Sequence, residues 1–387
     1  MQQPIVHTYS LGELYTERKE KGDPSLPILT VSIHAGVSES ELDEDKLGKK
    51  VKRIADKTQY KTARKGDLVF NMMRAWQGAI GVVRSDGLVS PAYIVAKPNE
   101  KIWPEYMDYC MKTPRMIHVI HRQSYGVTDF RLRLYWDSFT PITCQLPTLP
   151  EQQKIAAILS TQDKVIELKE KLLAQKQQQK KYLMQQLLTG KKRLPGFDRK
   201  WNYVKANEIF KSIVDKSHGG KLEVLSSTQD KGIVPRSQVD IDIKYNENSL
   251  STYKKVCEGD FVISLRSFQG GIEYSNYAGI VSPAYTVLRA IVKIDAGYYK
   301  QFFKSSNYIK RLNVAVYGIR DGKQISYDDF GQIKIPVPPI EEQREVAKIL
   351  STTDHEIDLL QKSIEAEKQK KKALMQLLLT GKVRVKI

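Results

Sequence analysis

The chain has 387 residues, with 62 Lys and Arg against 44 Asp and Glu and a net charge of +18. That length suits two or three domains with cores of their own, and that charge points to a polyanionic partner, nucleic acid ahead of an anionic membrane. A run of about 18 apolar residues is absent, residues 1–10 lack a basic-then-apolar signal pattern, and Cys110, Cys144 and Cys257 stand singly without CxxC spacing. A membrane span, a secretory leader, a disulfide framework and a zinc ribbon are therefore disfavoured, and a cytoplasmic location is expected.

In the first half, short apolar runs at 28–33, 67–70, 79–83 and 93–96 are broken by Gly, Pro and Asp, which predicts strands and turns, while 104–120 has helical spacing. A proline-rich hinge at 146–150 follows. Beyond it the pattern predicts a short helix over 151–159, a run of N-cap residues at 160–163, and a long helix closing at Gly190. The 28 residues from Asp163 to Gly190 would span roughly 40 Å at about 1.5 Å each.

The second half repeats the first. Residues 151–191 return without a gap as 342–382, an offset of 191, with 22 of 41 positions identical. Weaker anchors recur upstream at offsets of 192 to 193: Gly66-Asp67 as Gly259-Asp260, Arg74 and Gln77 as Arg266 and Gln269, Ser90-Pro91-Ala92-Tyr93 as Ser282-Pro283-Ala284-Tyr285, and Tyr125 as Tyr317. Strands are expected at 261–265, 279–281 and 285–288, a helix at 296–312, and a second proline hinge at 336–340. The long helices carry apolar stripes, Ile166, Leu173, Leu183 and Leu187 in one and Ile357, Leu360, Ile364, Leu374 and Leu378 in the other, so each wants a partner helix. Lys176 or Lys180 opposite Glu367 would suit an intramolecular pair. A constant helical length beside diverged globules reads as a ruler, in a cyclic tandem repeat of two antiparallel helices with a globule at each end.

The paired proline hinge, Glu151-Gln152-Gln153-Lys154-Ile155-Ala156 and Leu187-Leu188-Thr189-Gly190-Lys191, with Gly66-Asp67-Leu68-Val69-Phe70 and Ser90-Pro91-Ala92-Tyr93, resemble the specificity subunit of type I restriction-modification systems over the whole chain. The resemblance implies an α+β fold with target recognition domains at 1–146 and 194–337 and helical spacers at 147–193 and 338–387. It implies that each domain reads one half of a bipartite double-stranded DNA site. The helices would set the spacing and dock two copies of a DNA methyltransferase subunit, beside a restriction/translocase subunit. S-adenosylmethionine, ATP and Mg would belong to those partners, with no cofactor, metal or catalytic residue in this chain. The different class held against this is a non-catalytic coiled-coil scaffold for an acidic protein, from which steep salt dependence of DNA binding would distinguish it.

Arg74 with Gln77, and Arg266 with Gln269, are candidate DNA contacts, because Arg matches guanine and Gln adenine in the major groove; each set also serves as a turn anchored by Trp76 or Phe268. After Tyr125, Arg131 and Arg133 alternate with Phe130, Leu132 and Leu134, which would put both arginines on one face of a strand. Tyr317, Arg320 and Lys323 are the loop-like counterparts. The basic run containing Lys52 and Arg53 is a candidate for phosphates. Partner docking is assigned to Ile158, Leu159, Leu183 and Leu187, and to Ile349, Leu350, Leu374 and Leu378. Gly190-Lys191 is not a phosphate loop, since Gln185 and Lys192 replace the required Gly and Ser/Thr. His118, His121 and Cys110 lack a fourth ligand at usable spacing.

Overall fold

The computed structural model describes residues 7–33, 36–39, 54–128, 131–239, 247–315 and 325–387. They form two compact units, Met1–Leu168 with Ile364–Ile387, and Lys169–Ser363. The long helices, Leu149–Leu187 and Ile340–Leu378, each run across the boundary between these units.

In the first unit a four-stranded antiparallel sheet runs in the order Tyr15–Glu17, Tyr93–Pro98, Leu68–Asn71, Ile80–Val82. Two-stranded ladders join His7–Ser10 to Thr143–Leu146, Val31–Ser32 to Gly36–Val37, and Lys61–Ala63 to Gly87–Val89. Successive residues of a strand face opposite ways, and here both ways lead into apolar cores. Leu68, Phe70 and Ile94 turn to a large core with Tyr106, Met107 and Phe139, while Val69 and Val95 turn to a smaller one with Leu29, Val31 and Val89. The central strand therefore reads as continuously apolar. The second unit repeats the order with Phe210–Ile213, Thr286–Ala290, Phe261–Ile263 and Glu273–Tyr274. Phe261 and Leu288 enter its large core, Val262 and Val287 its small one.

The helix expected over 104–120 is two helices, Pro104–Met111 and Pro114–Gln123. Pro114 has no N–H and its ring blocks the preceding turn, so the chain restarts, with the Thr113 hydroxyl accepting from the Met116 N–H at 3.3 Å. The copy divides likewise into Ala296–Phe303 and Ser306–Ala315.

The long helices, Leu149–Leu187 and Ile340–Leu378, are 39 residues each, roughly 58 Å at about 1.5 Å per residue. The break expected at 160–163 is absent. Inside a helix Ser and Thr can bond back to the preceding turn instead of capping a new one, and here the Ser160 and Thr161 hydroxyls donate to the Ala157 carbonyl at 3.1 and 2.8 Å. Within each unit the two helical segments are antiparallel. In the first, the Gln162 amide donates to Glu367 at 2.7 Å and Lys371 pairs with Asp163 at 2.5 Å. In the second, Lys169 donates to Ser363 at 2.8 Å, Lys176 pairs with Glu356 at 2.7 Å, and Lys180 pairs with Asp354. Glu367 thus takes Gln162, and the lysines expected to meet it take Glu356 and Asp354.

The first two residues of the repeated 41-residue element fasten helix to globule. Glu151 and Glu342 are 2% and 1% exposed, and each receives a two-pronged arginine from beyond the end of the other long helix: Arg384 on Glu151, Arg193 on Glu342 with both bonds at 2.7 Å. Trp201 adds its indole N–H to Glu342 at 2.8 Å. Beside them Gln152 accepts from the Trp103 N–H at 2.9 Å and donates to the Lys101 and Pro147 carbonyls at 3.0 Å. Gln343 accepts from the Asp295 N–H at 2.9 Å and donates to the Pro338 carbonyl at 2.8 Å. Gln343→Ala leaves these buried backbone groups unpaired, and a loss of roughly 1–3 kcal/mol is expected, read as a lower denaturation midpoint of the chain.

Among the described residues no helix is long and apolar enough to cross a membrane, and no cluster of His, Cys, Asp or Glu could hold a metal ion. Burial pushes the Cys110 and Cys144 thiols up to about 12, which removes them as nucleophiles at neutral pH.

Candidate nucleic-acid interface

The turn that follows the central strand of each sheet presents the Arg and Gln candidates. In the first unit a single helical turn, Ala75–Gln77, is closed by Gly78 at φ +103°, a left-handed conformation that glycine adopts without strain. Trp76 packs against the core, its indole N–H donating to the Met73 carbonyl at 3.0 Å and its ring 5.4 Å from that of His121. Arg74 and Gln77 remain exposed. In the second unit Ser267–Gly270 forms the turn, Phe268 packs against the core, and Arg266 and Gln269 are exposed. The aromatic residue anchors the turn, and the polar pair is left exposed to solvent. Among the described residues neither Arg74 nor Arg266 is in an ion pair.

Phe130 lies outside the described residues, and 131–134 do not make a strand. Tyr125 and Arg133 form one isolated bridge, with N–H to carbonyl distances of 3.1 and 3.0 Å. Gly126 lies so close beneath the returning chain that a Cβ there would stand 2.3 Å from the Arg131 carbonyl oxygen. The facing predicted from the alternation survives: Arg131 and Arg133 are exposed and Leu134 is buried. The Tyr125 ring is 58% exposed and lies 4.9 Å from that of Tyr135. The Leu134 N–H donates to the Met72 carbonyl at 2.9 Å, which sets this loop beside the turn bearing Arg74. Tyr125, Arg131, Arg133, Arg74 and Gln77 are thereby gathered in one region of the first unit. Lys52 and Arg53, and Tyr317, Arg320 and Lys323 with them, lie outside the described residues.

Sequence reasoning missed two features that the units share. Asp67 accepts from the Arg18 guanidinium at 2.6 and 3.1 Å, and Asp260 from Arg289 at 2.8 and 2.7 Å. The aspartates recur in the sequence, but Arg18 follows the strand Tyr15–Glu17 whereas Arg289 lies within the strand Thr286–Ala290, so no offset could link them. Lys61 donates to the Tyr93 carbonyl at 2.7 Å and Lys254 to the Tyr285 carbonyl at 2.6 Å. Here a signal existed, since both tyrosines end the repeated Ser-Pro-Ala-Tyr. Partial burial lowers the pKa of both lysines from the ordinary value and raises that of both tyrosines, with Arg74 and Arg266 opposing the shift of the neighbouring phenol.

The residues assigned to partner docking are placed differently from expectation. Leu159 and Leu378 are buried in the large core of the first unit, and Leu187 and Leu350 in that of the second. Ile158 and Leu374, and Leu183 and Ile349, pack partly buried against the same cores. Leu159, Leu187, Leu350 and Leu378 are therefore covered by the chain itself, whereas Ile158, Leu183, Ile349 and Leu374 keep part of their surface open. The exposed apolar side chains of the long helices are others: Leu168, Leu172 and Tyr182, and Leu359 and Leu377.

Comparison with known proteins agrees with a doubled recognition architecture. The model of the type I restriction modification DNA specificity domain matches twice, at residues 12–177 and 198–368. A putative type I restriction enzyme MjaX specificity subunit from Methanocaldococcus jannaschii is 26% identical over 408 aligned positions, covering 96% of this chain and 90% of that protein. The MjaVIII specificity subunit of the same organism is 27% identical and covers 78% and 75%. In fold the chain is similar to the HsdS subunit from Thermoanaerobacter tengcongensis, with TM-score 0.52, 22% identity and coverage of 98% and 97%. It is also similar to the S subunit from M. genitalium, with TM-score 0.58, 14% identity and the same coverage. With the specificity domain matched in both halves, each on its own sheet and core, the chain belongs to the type I restriction-modification DNA specificity family.

Proposed function

We propose that this chain is the DNA sequence-recognition subunit of a type I restriction-modification complex, each globular region reading one half of a bipartite duplex site. The observation that carries the reading is the specificity domain present twice, each copy presenting an exposed Arg-x-x-Gln turn whose arginine has no ion pair among the described residues, on a chain of net charge +18. The chain supplies an address and no chemistry. Methyl transfer with S-adenosylmethionine, and translocation and cleavage with ATP and Mg, belong to partner subunits in the cytoplasm. Two methyltransferase copies would meet the exposed apolar residues of the long helices, Leu168 and Leu359 standing at equivalent positions 191 apart. The helices, of equal length in the two copies, would fix the number of unread base pairs. A scaffold for an acidic protein is not favoured, because it gives no reason for two specificity domains.

The test is to map methylated positions genome-wide in cells with and without this chain, and to measure duplex binding by the assembled complex across salt. A single bipartite motif that vanishes without the chain, with log K falling steeply against log salt, is the expected result. Unchanged methylation, or binding that ignores sequence, would refute it.

A further inference from the structure

We infer that the features shared by the two units form a phosphate-binding seat, built on Lys61, Tyr93 and Arg74 in the first and on Lys254, Tyr285 and Arg266 in the second. This deepens the proposed function and rests on it. Two domains that read different bases have one thing in common in their targets, the sugar-phosphate backbone. Contacts to that backbone position a protein, whereas base edges specify. A feature kept in both readers therefore suits the backbone, and features that differ suit the bases.

The geometry supports the assignment. Each lysine is partly buried and spends a bond on a neutral carbonyl, at 2.7 and 2.6 Å. Among the described residues neither is in an ion pair. Arg74 and Arg266 stand exposed on turns that leave the strand partners of this segment: Asn71, which pairs with Tyr93, accepts from the Arg74 N–H at 3.0 Å, and Ile263, which pairs with Thr286 beside Tyr285, leads into the turn bearing Arg266. A partly desolvated ammonium held on a carbonyl, with an exposed guanidinium on the neighbouring turn, is completed by an anion whose charge offsets the desolvation of both partners. A duplex phosphate is such an anion. Gln77 and Gln269 ride on the same turns and share this role, while base reading in the first unit passes to the Tyr125 loop, which has no like-for-like copy in sequence.

The test uses the assembled complex with Lys61→Met, Lys61→Arg and Arg74→Ala, and the second-unit variants Lys254→Met and Arg266→Ala. Two duplexes of equal length, one bearing the mapped site and one unrelated, are titrated across salt. Each neutralising variant is expected to lower affinity for both duplexes by the same factor, about fivefold at 0.15 M salt, and to reduce the salt slope by roughly 0.9, one phosphate contact. Lys61→Arg restores both, and the methylated motif stays unchanged in cells. The arginines are exposed, so their removal leaves the fold intact and keeps the test independent of Lys61 folding. A change in the motif, or loss confined to the site-bearing duplex, would overturn the inference by showing base reading; so would an unchanged slope. Wild-type complex that fails to bind the site-bearing duplex would overturn the proposed function itself, a result separable from these.

Discussion

Arg193→Met is expected to destabilise the second unit by about 3–5 kcal/mol, the cost of leaving a buried carboxylate without its partner. Glu342 is 1% exposed and is held by both prongs of Arg193 and by the Trp201 indole. Methionine fills the same space without charge, so what is lost is the compensation of Glu342. The double variant Arg193→Met with Glu342→Gln should recover much of the loss, because an amide is far cheaper to bury than a carboxylate. Urea unfolding monitored by Trp201 fluorescence measures both. A single variant within 1 kcal/mol of the wild type would show that the pair is not the fastener it is taken for. Arg384→Met should act on the first unit through Glu151 in the same way.

The second large effect is on specificity. Replacing residues 1–145 with the matching segment of another family member should exchange one half of the methylated motif entirely, keep the other half, and keep the spacing between them. The second unit has its own sheet and both its own cores, so its packing does not depend on the replaced segment. The graft must preserve the seam with Leu159, Leu374 and Leu378, which belong to the core of the first unit. Sequencing of methylated genomic DNA reads the result, and a change in both halves would refute independent reading.

Much of this was legible because repetition exposes it. The gapless 41-residue copies and the Gly-Asp, Arg-x-x-Gln and Ser-Pro-Ala-Tyr anchors mark the same places in both folded units, and the α+β character and the long helices follow from pattern. What was hidden is non-local. Ser160-Thr161 has the composition of a cap, yet in mid-helix its hydroxyls turn back to Ala157, a choice made by apolar residues buried on either side of it, Ile155, Ala156 and Leu159 before and Ile166 after. The leucine stripes asked for a partner helix within the chain, but a sequence cannot say that the chain's own globules also cover Leu159, Leu187, Leu350 and Leu378. Arg18 and Arg289 reach equivalent aspartates from unequal places, so that correspondence exists only in three dimensions.

The arginine fasteners also decide the order in which the molecule can be completed. The second unit is drawn from one continuous stretch, Lys169–Ser363, whereas the first joins Met1–Leu168 to Ile364–Ile387. A ribosome therefore emits most of the first unit early but withholds its closing segment, including Leu374, Leu378 and Arg384, until the second unit has emerged. Contacts so distant along the chain form late and slowly. During synthesis the first reader waits, its helix seam open, while the second is finished, so the half made first is the one most exposed to chaperones and to misassembly.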